Sequence, residues 1–175
     1  MGFKESLIIG KTGESKIAKW IISDGGQVLP VYEIAENQYK GPALYCEGTT
    51  LVAPDILMFK KGELRWVEVK TKSSFSWHRK TERFVTGIDL HHYADYLKVK
   101  DVTNTQLWLL FLQGLGIAKD TPDDKMAPTG LFGGEISDLK QNENHRHDNW
   151  GKHGMVYWAV DKLLKISNYE DIDRF

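Results

Sequence analysis

The chain has 175 residues, a formal net charge of −1 at pH 7, 41% hydrophobic and 27% charged residues. That balance belongs to a soluble globular protein and excludes nucleic-acid binding through global basicity, so any such surface must be a local patch. No stretch reaches 18 consecutive apolar residues, which excludes a helical membrane span, and Cys46 is alone, which excludes an internal disulfide.

The length suits one domain over residues 1–175 with a sizeable core. A lone cysteine and an N-terminus without a secretory leader fit a reducing, cytoplasmic (intracellular) setting. Residues 1–11 read as a lead-in, with Leu7–Gly10 as a strand or an apolar tether. Thr12 reads as an N-cap, and Ile17, Trp20 and Ile21 give a helical stripe to about Ser23, closed by Gly25-Gly26. Gln27 to Ile34 reads as a strand, and Pro30 assigns it to an edge. Glu36 to Pro42 is a polar connection, and Leu44 to Val52 holds a short strand.

Ala53–Phe59 and Leu64–Lys70 flank a turn at Lys60-Lys61-Gly62-Glu63, the pattern of a β-hairpin. Alternation puts Asp55, Leu57 and Phe59 on one face of the first strand, and Trp66, Glu68 and Lys70 on one face of the second. A two-residue loop pairs Lys60 with Glu63 and, counting outward, Asp55 with Glu68; a bulge at Gly62 would shift this by one. Opposed residues hold their Cβ atoms about 4.5–5.5 Å apart, so two carboxylates there repel unless a cation lies between them. A divalent cation would do this, with Lys70 as a second positive charge. The ordinary alternative is an exposed hairpin with a surface ion pair.

Further on, Thr71 to Thr86 reads as a polar, basic and aromatic loop, Ile88 to Val99 as a helix, and Gln106 to Gln113 as a buried strand. Residues 118–130 read as a mobile loop, Leu131 to Leu139 as a strand, and Gln141 to Gly154 as polar connection. Met155 onward alternates as a strand, and Asn168 to Phe175 reads as a short helix. Helix, strand, hairpin, helix, strand implies an α/β sheet with helices on its faces.

Pro54-Asp55, a spacer of twelve residues, and Glu68-Val69-Lys70 together resemble the PD-(D/E)xK nuclease superfamily. The resemblance implies a restriction-endonuclease-like α/β fold, a central mixed sheet flanked by helices. It implies a metal-dependent deoxyribonuclease in which Asp55, Glu68 and the Val69 carbonyl hold Mg²⁺ (or Mn²⁺) and Lys70 assists the attacking water. It adds Glu14 as a supporting acid on the first helix, where the helix dipole also favours a carboxylate. His92 and Tyr96, four apart, stand where some members carry Gln-x-x-x-Tyr, with His in place of Gln.

DNA is the implied partner. Lys72, Trp77, His78, Arg79, Lys80, Arg83 and Phe84 interleave cations with rings just past the site. The cations suit phosphates, and Trp77 or Phe75 suits base stacking. One rival reading is a Holliday-junction resolvase of the same superfamily, which needs a homodimer. Another is an inactive nucleic-acid-binding module, against which the retained Asp55, Glu68 and Lys70 argue. His145-Arg146-His147 and His153 raise a metal cluster or a His-based nuclease, but no second Cys supports zinc and no ββα pattern surrounds them.

Overall fold

The computed structural model describes residues 3–31, 42–118, 120–149 and 153–175. Helix α1 spans Phe3–Ser23. It begins well before the expected Thr12, because Thr12 is no cap: its hydroxyl donates back to Ile8 O at 2.9 Å, inside the helix. Leu7–Gly10 is therefore helical rather than strand or tether. The helix stops as expected. Gly25 takes φ +81°, Gly25 N–H donates to Ile22 O and Gly26 N–H to Ile21 O, the paired bonds of a glycine C-terminus.

Among the described residues strand β1 (Gln27–Pro30) pairs only with β4 (Ile56–Lys60), which puts Pro30 on an edge. The expected continuation to Ile34 and most of the 36–42 connection lie outside the described residues. The single strand expected in 44–52 is a small hairpin, β2 (Ala43–Cys46) and β3 (Thr49–Val52), turning at Gly48 with φ +75°. Strand β5 (Glu63–Lys72) follows β4 through Lys61 (φ +52°) and Gly62 (φ +80°), a two-residue turn with both residues left-handed. Lys60 pairs with Glu63, and the register runs unshifted to Ile56 opposite Val67.

The 71–86 segment is not a loop. It forms β6 (Ser76–His78) and the start of β7 (Arg83–Asp89). Its rings are core rather than display: Phe75 and Phe84 are buried, Phe75 meets Phe132 edge-on at 5.1 Å, and Trp77 meets Phe84 at 5.0 Å. Helix α2 (Leu90–Thr103) starts two residues later than expected, since Ile88 is still in β7, and ends at left-handed Asn104.

Strand β8 (Gln106–Gln113) matches its apolar run. Strand β9 (Gly130–Glu135) stops short of the expected Leu139 because the Glu135 carboxylate accepts from Ser137 N–H at 2.7 Å, capping α3 (Ile136–Gln141). Strands β10 (His145–His147), β11 (Met155–Ala159) and β12 (Leu164–Ser167) and helix α4 (Tyr169–Asp173) complete the order, with a 3₁₀ turn at Val160–Lys162.

The main sheet runs β1-β4-β5-β8-β9-β12, with β5 and β8 parallel and its other pairs antiparallel. A second sheet runs β10-β11-β7-β6. Alternation along β5 divides the core. Val67 and Val69 pack with Ile17 and Ile21 of α1 and Leu110 and Leu112 of β8. Trp66 packs on the other side with Tyr96 and Val99 of α2 and Leu107, Leu109 and Phe111 of β8. Each fully buried aliphatic side chain contributes about 1.5–3 kcal/mol. Helix α1 approaches β5 closely at Gly13, where a Cβ would stand 1.7 Å from Thr71 Oγ1. The observed fold is the mixed α/β sheet flanked by helices.

Candidate active site

Pairing between β4 and β5 stops at Ile56 opposite Val67, which leaves Val69 N–H beyond the last ladder partner. The Asp55 carboxylate fills that place, accepting from Val69 N–H at 3.0 Å. Asp55 O in turn accepts from Val31 N–H at 2.9 Å, so the chain just past β1 holds it from the far side. Asp55 is thereby fixed beside Glu68, as the hairpin count requires.

Glu68 is 1% exposed. Lys70 forms an ion pair with its Oε1, yet neither carboxylate oxygen has a well-directed hydrogen bond among the described residues. Burial, and next the Glu68 charge, push Asp55 up to about 8 against the opposing pull of Lys70. Glu14 is also raised, by burial and then by Glu68, which brings α1's carboxylate into the same field. Burial alone would lower the Lys70 ammonium, but Glu68 and Asp55 outweigh it and hold it well above its ordinary value. Tyr96 is 2% exposed, and burial followed by the Glu68 charge keeps its phenol protonated. His92 is lowered by burial and then by Lys70, which favours a neutral ring.

All of these groups except Glu14 line one cleft of about 720 Å³. Asp55, Glu68 and Lys70 line it together with His91, His92, Asp95 and Tyr96 of α2, and with Tyr45 and Thr50 of the β2–β3 hairpin. Both second-helix candidates, His92 and Tyr96, thus face the hairpin carboxylates. Sequence reasoning missed Tyr45, His91 and Asp95. Asp95 is 7% exposed and accepts from Val52 N–H at 3.1 Å, tying α2 to the small hairpin. Its signal was available, since Asp95 is three residues from His92 and four from His91 on one helical side.

The donor set suits a hard divalent cation. Half-buried Asp55 and buried Glu68 bring two carboxylates together, with one ammonium paired to Glu68 and neither oxygen of Glu68 in a well-directed hydrogen bond among the described residues. No group of three His, Cys, Asp or Glu side chains gathers as a metal cage among the described residues. Magnesium does not need one, because it keeps several waters and takes one or two carboxylates.

The proposed DNA-binding residues are more dispersed. Lys72 ends β5, and burial followed by Lys70 lowers its pKa. Trp77 is half-buried against Phe84. Arg79 pairs with Asp120 at 2.7 Å and Arg83 with Asp161 at 3.3 Å, while Lys80 is exposed. His78 stacks on His145 at 3.9 Å, and His145 on Tyr157 at 4.5 Å; His153 lies against His91 at 5.6 Å. Stacking therefore accounts for His145.

The sheet order and the hairpin's place in it are those of a restriction-endonuclease-like fold. Among solved structures, the chain is similar to Hjc, a Holliday junction resolvase from the archaeal hyperthermophile Archaeoglobus fulgidus. That match has a TM-score of 0.51 and 8% identity, over 93% of this chain and 99% of that one. A nuclease from a fusselovirus matches at a TM-score of 0.40 and 11% identity, over 96% of this chain and 86% of that one. At these identities the likeness is one of fold. No protein-family model and no curated protein matches the sequence.

Proposed function

We propose that the chain is a metal-dependent nuclease that hydrolyses DNA phosphodiester bonds by attack of water on phosphorus. The observation that carries this reading is the meeting of half-buried Asp55 with buried Glu68, with Lys70 paired to Glu68, on the lining of one cleft. Asp55, Glu68 and the Val69 carbonyl would hold Mg²⁺ or Mn²⁺. When bound, such an ion supplies charge neutralisation at phosphate and an acidified water.

The chain's own residues do the rest. Lys70 stays cationic beside two carboxylates, so it acts as a charged donor toward the developing phosphorane oxygens and not as a base. Tyr96 keeps its proton beside Glu68, while neutral His92 can orient a water. Glu14 adds negative potential that favours a cation. Lys72, Trp77, Arg79, Lys80 and Arg83 are the proposed DNA-binding residues.

A Holliday-junction resolvase is the second reading, with about equal support, because the fold likeness extends over 99% of Hjc. It requires a homodimer that places two clefts on opposite strands. Cleavage of duplex, flapped and four-way-junction DNA, with and without Mg²⁺, tests both. Metal-dependent cutting that Asp55→Ala and Glu68→Ala abolish is expected. Paired symmetric nicks on junctions alone would select the resolvase, and DNA binding without metal-dependent cleavage would leave only the non-enzymatic module.

A further inference from the structure

The aromatic side chain at the cleft is not one of those the basic segment supplies. Phe75 is 1% exposed and Trp77 is half-buried against Phe84, so the core occupies both. Tyr96 lines the cleft but is sealed. Tyr45 lines the same cleft and is 63% exposed. Its ring stacks on no other described residue, and its hydroxyl has no hydrogen-bond partner among them.

The platform that carries it is held in place. Tyr45 on β2 faces Thr50 on β3. Leu51 inserts into the core at 3% exposure, Val52 N–H is held by buried Asp95, and Ala53 N–H donates to Pro42 O at 2.8 Å. Asp55 follows two residues after Ala53. The short chain path from Leu51 to Asp55 thus anchors the hairpin in the core at one end and supplies the carboxylate at the other.

We propose that Tyr45 is a base-stacking subsite for an unpaired nucleotide next to the scissile phosphate. The proposal rests on the nuclease reading and names its substrate class: DNA with an unpaired base at the cleavage point. Glu68 is almost fully buried, so a reacting phosphate must be drawn into the cleft and its neighbouring nucleotide brought against the hairpin wall. A base inside a duplex has both faces covered by its neighbours, whereas an unpaired base offers a free face to a ring. A tyrosine ring at a cleft mouth stacks on any base, so the subsite selects structure and not sequence.

The test uses the full chain with Ca²⁺ in place of Mg²⁺. The probes are fully paired duplex and duplex carrying a single-stranded flap, with a fluorescent adenine analogue at the first unpaired position. The parent should bind the flap more tightly and quench the analogue. Tyr45→Ala should weaken flap binding about 5- to 150-fold and abolish the quench, with duplex affinity unchanged. Tyr45→Phe keeps the ring and should restore both. Because the side chain is exposed, neither substitution opens a core cavity.

Parental flap affinity and parental quench in Tyr45→Ala would overturn the subsite while leaving the nuclease reading intact. Equal losses on flap and duplex would also overturn it, by making Tyr45 a general DNA-binding residue. Failure of the parent to bind either DNA would remove the nuclease reading and the subsite together. Mg²⁺-dependent cleavage by the parent, measured in parallel, separates that case from the others.

Discussion

Asp55, Glu68 and Lys70 meet at one place, where the Glu68 charge and the Lys70 charge act on Asp55 in opposite senses. Lys70→Ala should keep Mn²⁺ binding, measured by calorimetric titration, and lower turnover about 10²–10³-fold, the usual worth of a donor aimed at developing charge. Turnover at the parental level would remove Lys70 from the mechanism. The three residues were legible because a hairpin has a strict period of two, and a two-residue left-handed turn at Lys61-Gly62 leaves one register. Asp95 was legible only through its helical spacing from His91 and His92, and Tyr45 was not legible. A buried acid on a helix and an exposed tyrosine on a strand look ordinary until the tertiary fold brings both to one cleft. The basic segment shows the converse: its cations and rings read as a display, but ring burial overrode the polarity of the stretch.

At the scale of elements, Gly13 sets how closely α1 lies on β5 and so where Glu14 sits. Gly13→Ala should destabilise the fold by about 1–3 kcal/mol, the usual cost of overpacking, because its Cβ would meet Thr71 Oγ1 at 1.7 Å. Adding Thr71→Ala should recover part of this, as read from urea denaturation midpoints; an unchanged midpoint in the single variant would show that the helix is free to shift. The helix was expected to start at Thr12 because a threonine before Gly-Glu reads as a cap, and the back-bond to Ile8 is invisible without the preceding turn. The β6–β7 hairpin carries most of the proposed DNA-binding residues. Arg79→Ala with Lys80→Ala should lower DNA affinity and flatten its dependence on salt, by roughly 0.7–0.9 in logarithmic slope for each phosphate left unneutralised. Arg79 is already paired with Asp120, so most of that change should persist when Lys80 alone is replaced. Filter binding or anisotropy across several salt concentrations reads both quantities, and a parental affinity and slope in the double variant would move the DNA track off this hairpin.

For the whole molecule, β5 and β8 form the parallel centre between two cores, and the acid–base state of one residue at its margin reaches global stability. Asp55 titrates at about 8 in the fold, above its ordinary carboxylate range near about 4 in the unfolded chain. The folded form therefore binds this proton more tightly, and the stability it brings is complete below about pH 4 and lost as pH rises through about 8. Metal-free protein should melt at lower temperature at pH 8 than at pH 6, and Asp55→Asn should flatten that dependence. A parental profile in the variant would place the titrating group elsewhere. The same proton has a calorimetric consequence. At neutral pH the carboxylate pair retains it, and a divalent cation bound there would expel it into the buffer. The apparent heat of Mn²⁺ binding should then vary linearly with the ionisation enthalpy of the buffer chosen. The slope should approach one proton per ion at neutral pH and fall toward zero above about pH 8, where Asp55 has already released its proton.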